Sequence, residues 1–296
     1  MHLDRIAVIG LGKVGTTFAH LLQKAGHTII ALYDTDPSAC DRASTYVDTA
    51  VFPDPGSAAS AADTVLIATN DDAIEPICHD IAAAGAITPG MTVIHTSGAG
   101  SLDLLSAARL KGASVGCLHP IQTFSDIDGA IRQLRGSVFG IVADEDIKTS
   151  LGDMASALGG HPVFISDSDK PLYHAAAVFA SNYLVTLIHV AVSLYSSLGM
   201  SEEEALTAIR PLTAGTLKNI EEKGTVQALT GPIARGDIGT IQKHLSSFTE
   251  KASRFLPLYR AMGAMTVDIA IAGGSLSPES ERTIKNTLQG DTTNHE

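Results

Sequence analysis

Short apolar runs recur through the first half of the chain: Ile6–Ile9, Thr28–Tyr33, Thr64–Thr69, Met91–His95, Ala113–Leu118, Ser137–Ala143 and Pro162–Ile165. They lack the regular in–out alternation of a half-exposed strand. Near-continuous apolar runs of this length are what strands covered on both faces of a parallel sheet require. Between them, helices are predicted from Thr16 to Gln23, over the Ala-rich stretch up to about Ala50, and at Ala58–Ala62, Ile77–Gly85, Leu102–Leu110 and Asp144–Leu158. Strand and helix in alternation predict a doubly wound α/β domain, a mostly parallel sheet with extra strands. The alternation stops near Ser166. From Lys170 onward only helical patterns remain, at about 170–198, 201–222, 237–246, 248–262 and 264–273, with a turn at 225–230. Gly199 and the cap Ser201-Glu202-Glu203-Glu204 mark a stop and a new start. The expected organisation is an α/β domain over 1–167, an all-α domain over 168–276, and a polar tail over 277–296. The tail begins as a short helix, and its last seven residues are expected to be disordered.

The first apolar run ends in Gly10-Leu11-Gly12-Lys13-Val14-Gly15. A strand, a GxGxxG turn and a helix start are the phosphate-binding unit of a Rossmann dinucleotide domain. Gly10 permits the tight turn, Gly12 lets the backbone approach a pyrophosphate, and Gly15 lets helix and strand pack. Asp34 follows the second run, where a carboxylate can accept from the adenosine ribose hydroxyls and repel a 2′-phosphate. This favours NAD, with NADP as the alternative. The other reading of Asp34 or Asp36 is a helix cap ahead of Pro37, a role that suits Asp36 better. Asn70 and Asp71, after the third run, and Ser97 and Gly98, after the fourth, stand at the strand ends where such sheets bind ligands. Gly10, Gly12, Lys13, Val14, Gly15, Asp34, Asn70, Asp71, Ser97 and Gly98 are therefore the candidate cofactor residues. Helix capping is the competing role for Asn70 and Asp71.

Composition narrows the partners. A formal net charge of −12 without a long basic run argues against nucleic acid and anionic membranes. No signal peptide is expected, and the three cysteines form no CxxC pair, so reduced thiols in a cytoplasm are expected. No metal site is expected. Ala175 to Leu198 carries no Asp, Glu, Lys or Arg, but serines, Asn182 and His189 interrupt it. A buried or dimer-forming helix is the reading, so a homodimer through the C-terminal helices is expected.

Three further features could carry chemistry. His119, at a strand end before Pro120, is either a general acid or a structural ring bonded to a loop carbonyl. Lys170, His174 and Asn182 lie along one face of an otherwise apolar helix, and burying Asn182 without a partner would cost roughly 2–7 kcal/mol. Its partner is either a substrate or an interhelical bond. Arg235, in Thr230-Gly231-Pro232-Ile233-Ala234-Arg235-Gly236-Asp237, either grips a substrate carboxylate or holds a salt bridge, with Asp237 capping the next helix.

HTSGAGSL (95–102), HPIQTF (119–124), KPLYHAAAVFASNYLVTL (170–187) and LTGPIARGD (229–237) together resemble the Rossmann-like proteins whose C-terminal half is the DUF2520 domain of unknown function. The resemblance spans about 6–275. Some members resemble a second type of ketopantoate reductase, and others are described as deazaflavin-dependent NADP oxidoreductases. LTGPIARGD also resembles a loop of pyrroline-5-carboxylate reductase, and His119-Pro120 a prephenate dehydrogenase motif. Relatives often carry a Ser-Arg-Ser-like run after the second strand, suited to NADP, where this chain has Asp34-Thr35-Asp36. The resemblance implies an NAD(P)H-dependent reductase of a small carboxylate-bearing carbonyl compound such as ketopantoate. His119, Lys170, His174 and Asn182 would serve catalysis, and Gln122, Ser181 and Arg235 would bind substrate. A pyrroline-carboxylate-type imine reductase and a non-catalytic redox sensor are the alternatives.

Overall fold

The computed structural model describes residues 5–290, and contacts divide the chain into two compact units, 1–182 and 183–296. The first unit is built on a seven-stranded sheet: β1 (Arg5–Ile9), β2 (Thr28–Tyr33), β3 (Thr64–Ile67), β4 (Thr92–His95), β5 (Ser114–Pro120), β6 (Val138–Ala143) and β7 (His161–Phe164). Their order is β2-β1-β3-β4-β5-β6-β7, and every neighbouring pair is parallel except β5–β6. This is the doubly wound, mostly parallel sheet with extra strands that the apolar runs predict.

The helices of this unit are α1 (Lys13–Lys24), α2 (Pro37–Ser44), α3 (Pro55–Ser60), α4 (Asp71–Ala83), α5 (Ser106–Leu110), α6 (Ile127–Gln133), α7 (Lys148–Ala157) and α8 (Lys170–Ala180). Successive strand residues serve opposite cores. Leu66, Ile94 and Leu118 join Phe18 and Leu22 of α1 and Leu151 of α7, whereas Val65, Val93 and Val115 join Ile74, Cys78 and Ile81 of α4. Both faces are therefore dry, which is why these strands read as unbroken apolar runs. The edge strand β7 is exposed along its length.

Two local departures from the sequence reading have plain causes. Helix α6 lies where no helix is expected, because Asp126 accepts from the Gly129 N–H at 2.6 Å and caps a helix of only seven residues, too short to show a periodicity. The long helix expected over 170–198 ends at Ser181, whose φ of −118° and ψ of −70° break it. The remainder is α9 (Asn182–Ser196). The boundary between units consequently falls after α8 rather than at the expected 167/168, since Lys170 and Tyr173 tie α8 to the ends of β4 and β5.

The second unit is helical, with α9, α10 (Glu202–Gln227), α11 (Ile238–Lys251), α12 (Leu256–Ala272) and α13 (Pro278–Gln289). Ser201 and Glu204 form a reciprocal capping box at α10, and Gly224, at φ 76°, interrupts that helix near its end. The expected break near 263 is absent. Gly263 sits inside α12, where a Cβ would stand 2.9 Å from Leu288, so this glycine admits α13 instead of ending a helix. The segment expected as a polar tail is thus largely α13, with Ile284 and Leu288 buried against Ile241 and Val267. The disorder expected at the very end falls mostly on residues outside those described.

Candidate active site

The glycine turn has the geometry its spacing requires. Gly10 takes φ 93°, and its N–H donates to the Tyr33 carbonyl at 2.8 Å. A Cβ on Gly15 would lie 1.9 Å from the Gly10 carbonyl oxygen, so only glycine lets α1 start this close to β1. A Cβ on Gly12 would meet nothing within 4 Å; this position looks into open space. No side chain caps α1, so its first N–H groups and dipole remain available to an anion.

Asp34 and Asp36 divide their roles as expected. Asp36 accepts from the Ser38 N–H at 2.9 Å and caps α2. Asp34 Oδ2 accepts from the Leu11 N–H at 2.6 Å, and Oδ1 from the Asp36 N–H at 2.9 Å. The Asp34 carboxylate therefore braces the glycine turn, a duty sequence reasoning missed. Each carboxylate oxygen has a second lone pair, so ribose hydroxyls can still be accepted. Asp34, Gly10, Gly12, Thr69 and Asn70 line a cavity of about 270 Å³.

A larger cavity of about 1040 Å³ runs from the glycine turn across the strand ends. Gly12, Lys13 and Val14 line one end, Asn70, Asp71, Ser97 and Gly98 the middle, and His119 and His174 the other end. The Asn70 side chain makes no cap bond to α4, which leaves its amide for the cavity. Ser97 Oγ donates to Asp71 Oδ2 at 2.8 Å and accepts from the Gly100 N–H, fixing both side chains.

The histidine end is built by one close packing. His119 leaves the end of β5, and its ring lies 5.8 Å from that of His174 on α8. Tyr173, one residue earlier on α8, places its hydroxyl 3.1 Å from His119 Nδ1 and 3.3 Å from the His119 carbonyl oxygen. A Cβ on Gly140 would lie 2.4 Å from the Tyr173 hydroxyl oxygen, so glycine on β6 admits this ring. Burial, with the Lys170 ammonium and His174 adding to it, pushes His119 down to about 4, so its ring is neutral near pH 7. Burial also raises the Tyr173 phenol to about 12, which keeps it a protonated donor. Tyr173 was not among the sequence candidates. The available signal was its place in Lys170-Pro171-Leu172-Tyr173-His174, about a third of a turn from His174 on a helix.

Lys170 does not stand in this cavity. It is 1% exposed, and its Nζ donates to the Ser97 carbonyl at 2.9 Å and approaches Cys117 Sγ at 2.6 Å. It therefore lies behind the cavity wall, because Lys170, the first residue of α8, turns its side chain onto Cys117 of β5. Gln122 does line the large cavity and an adjoining smaller one, although its Nε2 donates to Gln133 O and Ser137 Oγ and its Oε1 accepts from Thr123 N–H. Asn182 and Ser181 line a separate cavity of about 470 Å³, which they share with His119 and His174. Arg235 is an exposed residue of the second unit, and Asp237 beside it caps α11 through Thr240 N–H. Among the described residues no three His, Cys, Asp or Glu side chains gather as a metal site.

Residues 3–120 match a Rossmann-like domain, and residues 137–266 match DUF2520, a domain of unknown function. The chain resembles the solved structure of a candidate NADP oxidoreductase from Bacteroides fragilis, at 21% identity and a TM-score of 0.71 over 90% of this chain and 98% of that one. Protein TM1727 from Thermotoga maritima gives the same values. The NADP-bound pyrroline carboxylate reductase of Plasmodium falciparum is similar at 13% identity and a TM-score of 0.57, covering 96% and 99% of the two chains. At these identities the likeness is one of fold. No curated protein matches the chain.

Proposed function

We propose that this chain is an NAD(P)H-dependent reductase of a small carbonyl compound bearing a carboxylate, with ketopantoate the first substrate to try. The observation that carries the reading is a single cavity joining the glycine turn to the His119–His174 pair. The residues fit the cofactor: Gly12 faces open space at an uncapped helix start, and the Asp34 carboxylate borders the neighbouring smaller cavity. Gly10, Gly12, Lys13 and Val14 would hold its phosphates and Asp34 its ribose, which favours NAD. A bound nicotinamide supplies the hydride.

The chain's own residues would do the rest. We assign the proton of the neutral His119 ring to Nε2, beside Gly98 on the cavity wall, with Nδ1 accepting from the Tyr173 hydroxyl that also reaches the His119 carbonyl oxygen. That N–H would donate to the oxygen on which negative charge develops. His174, across the cavity end, is the second group able to deliver a proton. Ser181 and Asn182, lining the adjoining cavity, would orient the substrate. Lys170 would act through Ser97, and Gln122 through its loop.

The test is oxidation of NADH and NADPH against a panel of 2-oxo acids and cyclic imines. Turnover on a 2-oxo acid supports this reading. Turnover confined to imines moves the assignment to the second reading, which the resemblance in fold to pyrroline carboxylate reductase favours. Nucleotide binding without turnover on any of them means that the substrate class is wrong or that the chain is a redox sensor.

The same proposal includes a homodimer in a reducing compartment. Tyr183, Val185 and Leu198 around α9 are 48%, 69% and 69% exposed in the single chain, and a second copy would cover them. The stretches Asp167–Ser196 and Ser253–Ala272 are apolar enough to cross a membrane by composition. The first is only 6% buried in the single chain, and in the proposed dimer the second copy would cover it. Cys40, Cys78 and Cys117 are buried and unlinked, as a reducing cytoplasm would keep them.

A further inference from the structure

Lys170 and Cys117 form an unusual buried pair. Lys170 is among the largest fully buried side chains, and Cys117 is completely buried beside it. Among the described residues no carboxylate contacts the ammonium, whose partners are the Ser97 carbonyl oxygen and the Cys117 sulfur. The Nζ–Sγ separation is 2.6 Å. That is shorter than the ~2.9 Å of an ordinary N–H···O bond, although sulfur is the larger atom. It matches instead the span of two single bonds through one shared atom, roughly 2.5 Å at a near-tetrahedral angle. Cys117 Sγ also lies 3.2 Å from the Ser97 carbonyl oxygen, so sulfur and nitrogen are held from the same side by one fixed peptide. Ser97 is itself held by Asp71 and Gly100.

We propose that Lys170 and Cys117 are joined under oxidising conditions by a bridging oxygen, Nζ–O–Sγ, with hydrogen peroxide as the oxidant. One peroxide takes the thiol to a sulfenic acid and leaves water. A second takes the amine, in its neutral form, to a hydroxylamine and leaves water. The hydroxylamine oxygen then attacks the sulfenic sulfur, an O–S bond forms, the sulfur–hydroxyl bond breaks, and a third water departs. Nitrogen and sulfur are each oxidised by two electrons, and the two peroxides take up all four. Two equivalents of a dithiol such as dithiothreitol reverse the link, supplying four electrons and returning amine, thiol and water as both become cyclic disulfides. The bridge fastens the first turn of α8 to the end of β5, directly behind Ser97. It does not depend on the reductase reading, because it uses only groups behind the cavity wall.

The experiment is mass spectrometry of the whole protein and of its peptides after exposure to hydrogen peroxide and alkylation in denaturant. A sample reduced with dithiothreitol serves as the reference. The expected result is a cross-linked pair of peptides containing Cys117 and Lys170, heavier by one oxygen and lighter by two hydrogens than their sum. One of the three cysteines should become unavailable to alkylation, and dithiothreitol should restore it. Cys117→Ser and Lys170→Arg should abolish the cross-link, and Cys40→Ala should keep it. Cys117 as sulfinic or sulfonic acid with Lys170 unmodified would overturn the proposal. So would a direct S–N bond, seen as loss of two hydrogens without added oxygen, or an unchanged Cys117. Because the wild-type protein gives the decisive reading, a variant that fails to fold does not shelter the idea.

Discussion

The hydroxyl of Tyr173 sits 3.1 Å from Nδ1 of His119, and the two rings meet edge to face with centroids 5.6 Å apart. In the proposed reading the hydroxyl donates to Nδ1 and leaves the ring proton on Nε2, facing the cavity. Tyr173 touches the reacting groups only through His119 and is a positioning residue. Removing a neutral hydrogen bond costs about 1 kcal/mol, so Tyr173→Phe should lower kcat roughly five- to tenfold. KM for the nucleotide should hardly move. His119→Ala removes the donor itself, and a loss of roughly 10²–10⁴ is expected. Equal losses in the two variants, or a Tyr173→Phe effect confined to nucleotide binding, would remove the role given to this pair.

Stability should fall with pH below neutrality. Burial holds His119 down to about 4 and His95 down to about 3, whereas an unfolded histidine titrates near 6.5. Between those values the unfolded chain binds more protons than the folded one, so stability rises with pH across this window. The contribution is fully present above about pH 6.5 and is lost progressively toward pH 3–4. Melting temperatures at a series of pH values from 7.5 to 4.5 should therefore decline, and His119→Asn should flatten the slope. The wild-type rate should also lack an acid limb near 6.5 from His119, which stays neutral there. A flat melting profile over the same range would contradict the neutral buried state assigned to both rings.

Nucleotide choice should follow Asp34. Its carboxylate braces the Leu11 N–H and borders the smaller cavity, where a 2′-phosphate would meet like charge. Asp34→Ser keeps a hydroxyl and removes that charge. The ratio of kcat/KM for NADH over NADPH should drop roughly tenfold or more, as one lost charge-assisted hydrogen bond of about 1.5–3 kcal/mol implies. An unchanged ratio would leave Asp34 as a brace of the turn and nothing more.

The apolar surface around α9 sets the expectation for assembly. Val185 and Leu198 are each more than two-thirds exposed in the single chain. Light scattering at micromolar concentration should report a dimer, and Val185→Lys combined with Leu198→Lys should shift it toward monomer. A wild-type monomer at that concentration would sink this part of the reading.

The sheet was legible because its strands are dry on both faces, so burial wrote itself into unbroken runs such as Thr64–Ile67 and Thr92–His95. The glycine turn was legible because Gly10 and Gly15 are forced by backbone geometry that no other residue satisfies. What stayed hidden depends on contacts between distant segments. Tyr173 meets His119 across 54 positions of sequence, and nothing local to either marks the pair. Lys170 read as a cavity cation because its type suggests solvent and chemistry, while its depth behind Ser97 is set by where α8 lands on β5. The break at Ser181 left no trace either, since neither glycine nor proline marks it. Helix α13 was read as a tail because few of its residues are apolar, yet Ile284 and Leu288, one turn apart, suffice to seat it.

Gly98 offers the sharpest test of the cavity end. It lies where the loop after β4 passes between the two histidines. A Cβ there would stand 2.4 Å from His174 Cδ2 and 2.8 Å from His119 Nε2, closer than side-chain atoms approach. The obstacle is two ring systems, and one of them is fixed by Tyr173, so the methyl group cannot be absorbed by a flexible side chain turning away. Gly98→Ala should therefore displace His174, His119 or both from the cavity wall. Because the site borders open space rather than packed core, the fold should tolerate the shift, with a melting temperature within a few degrees of wild type. A displacement of about 1 Å at reacting groups can cost 10²-fold in rate, so kcat should fall by about that factor. Nucleotide binding at the glycine turn should stay intact when measured by fluorescence titration. Full activity in Gly98→Ala would mean that the two rings are not where the reaction takes place. Activity lost together with nucleotide binding would mean that the loop after β4 serves the cofactor rather than the substrate.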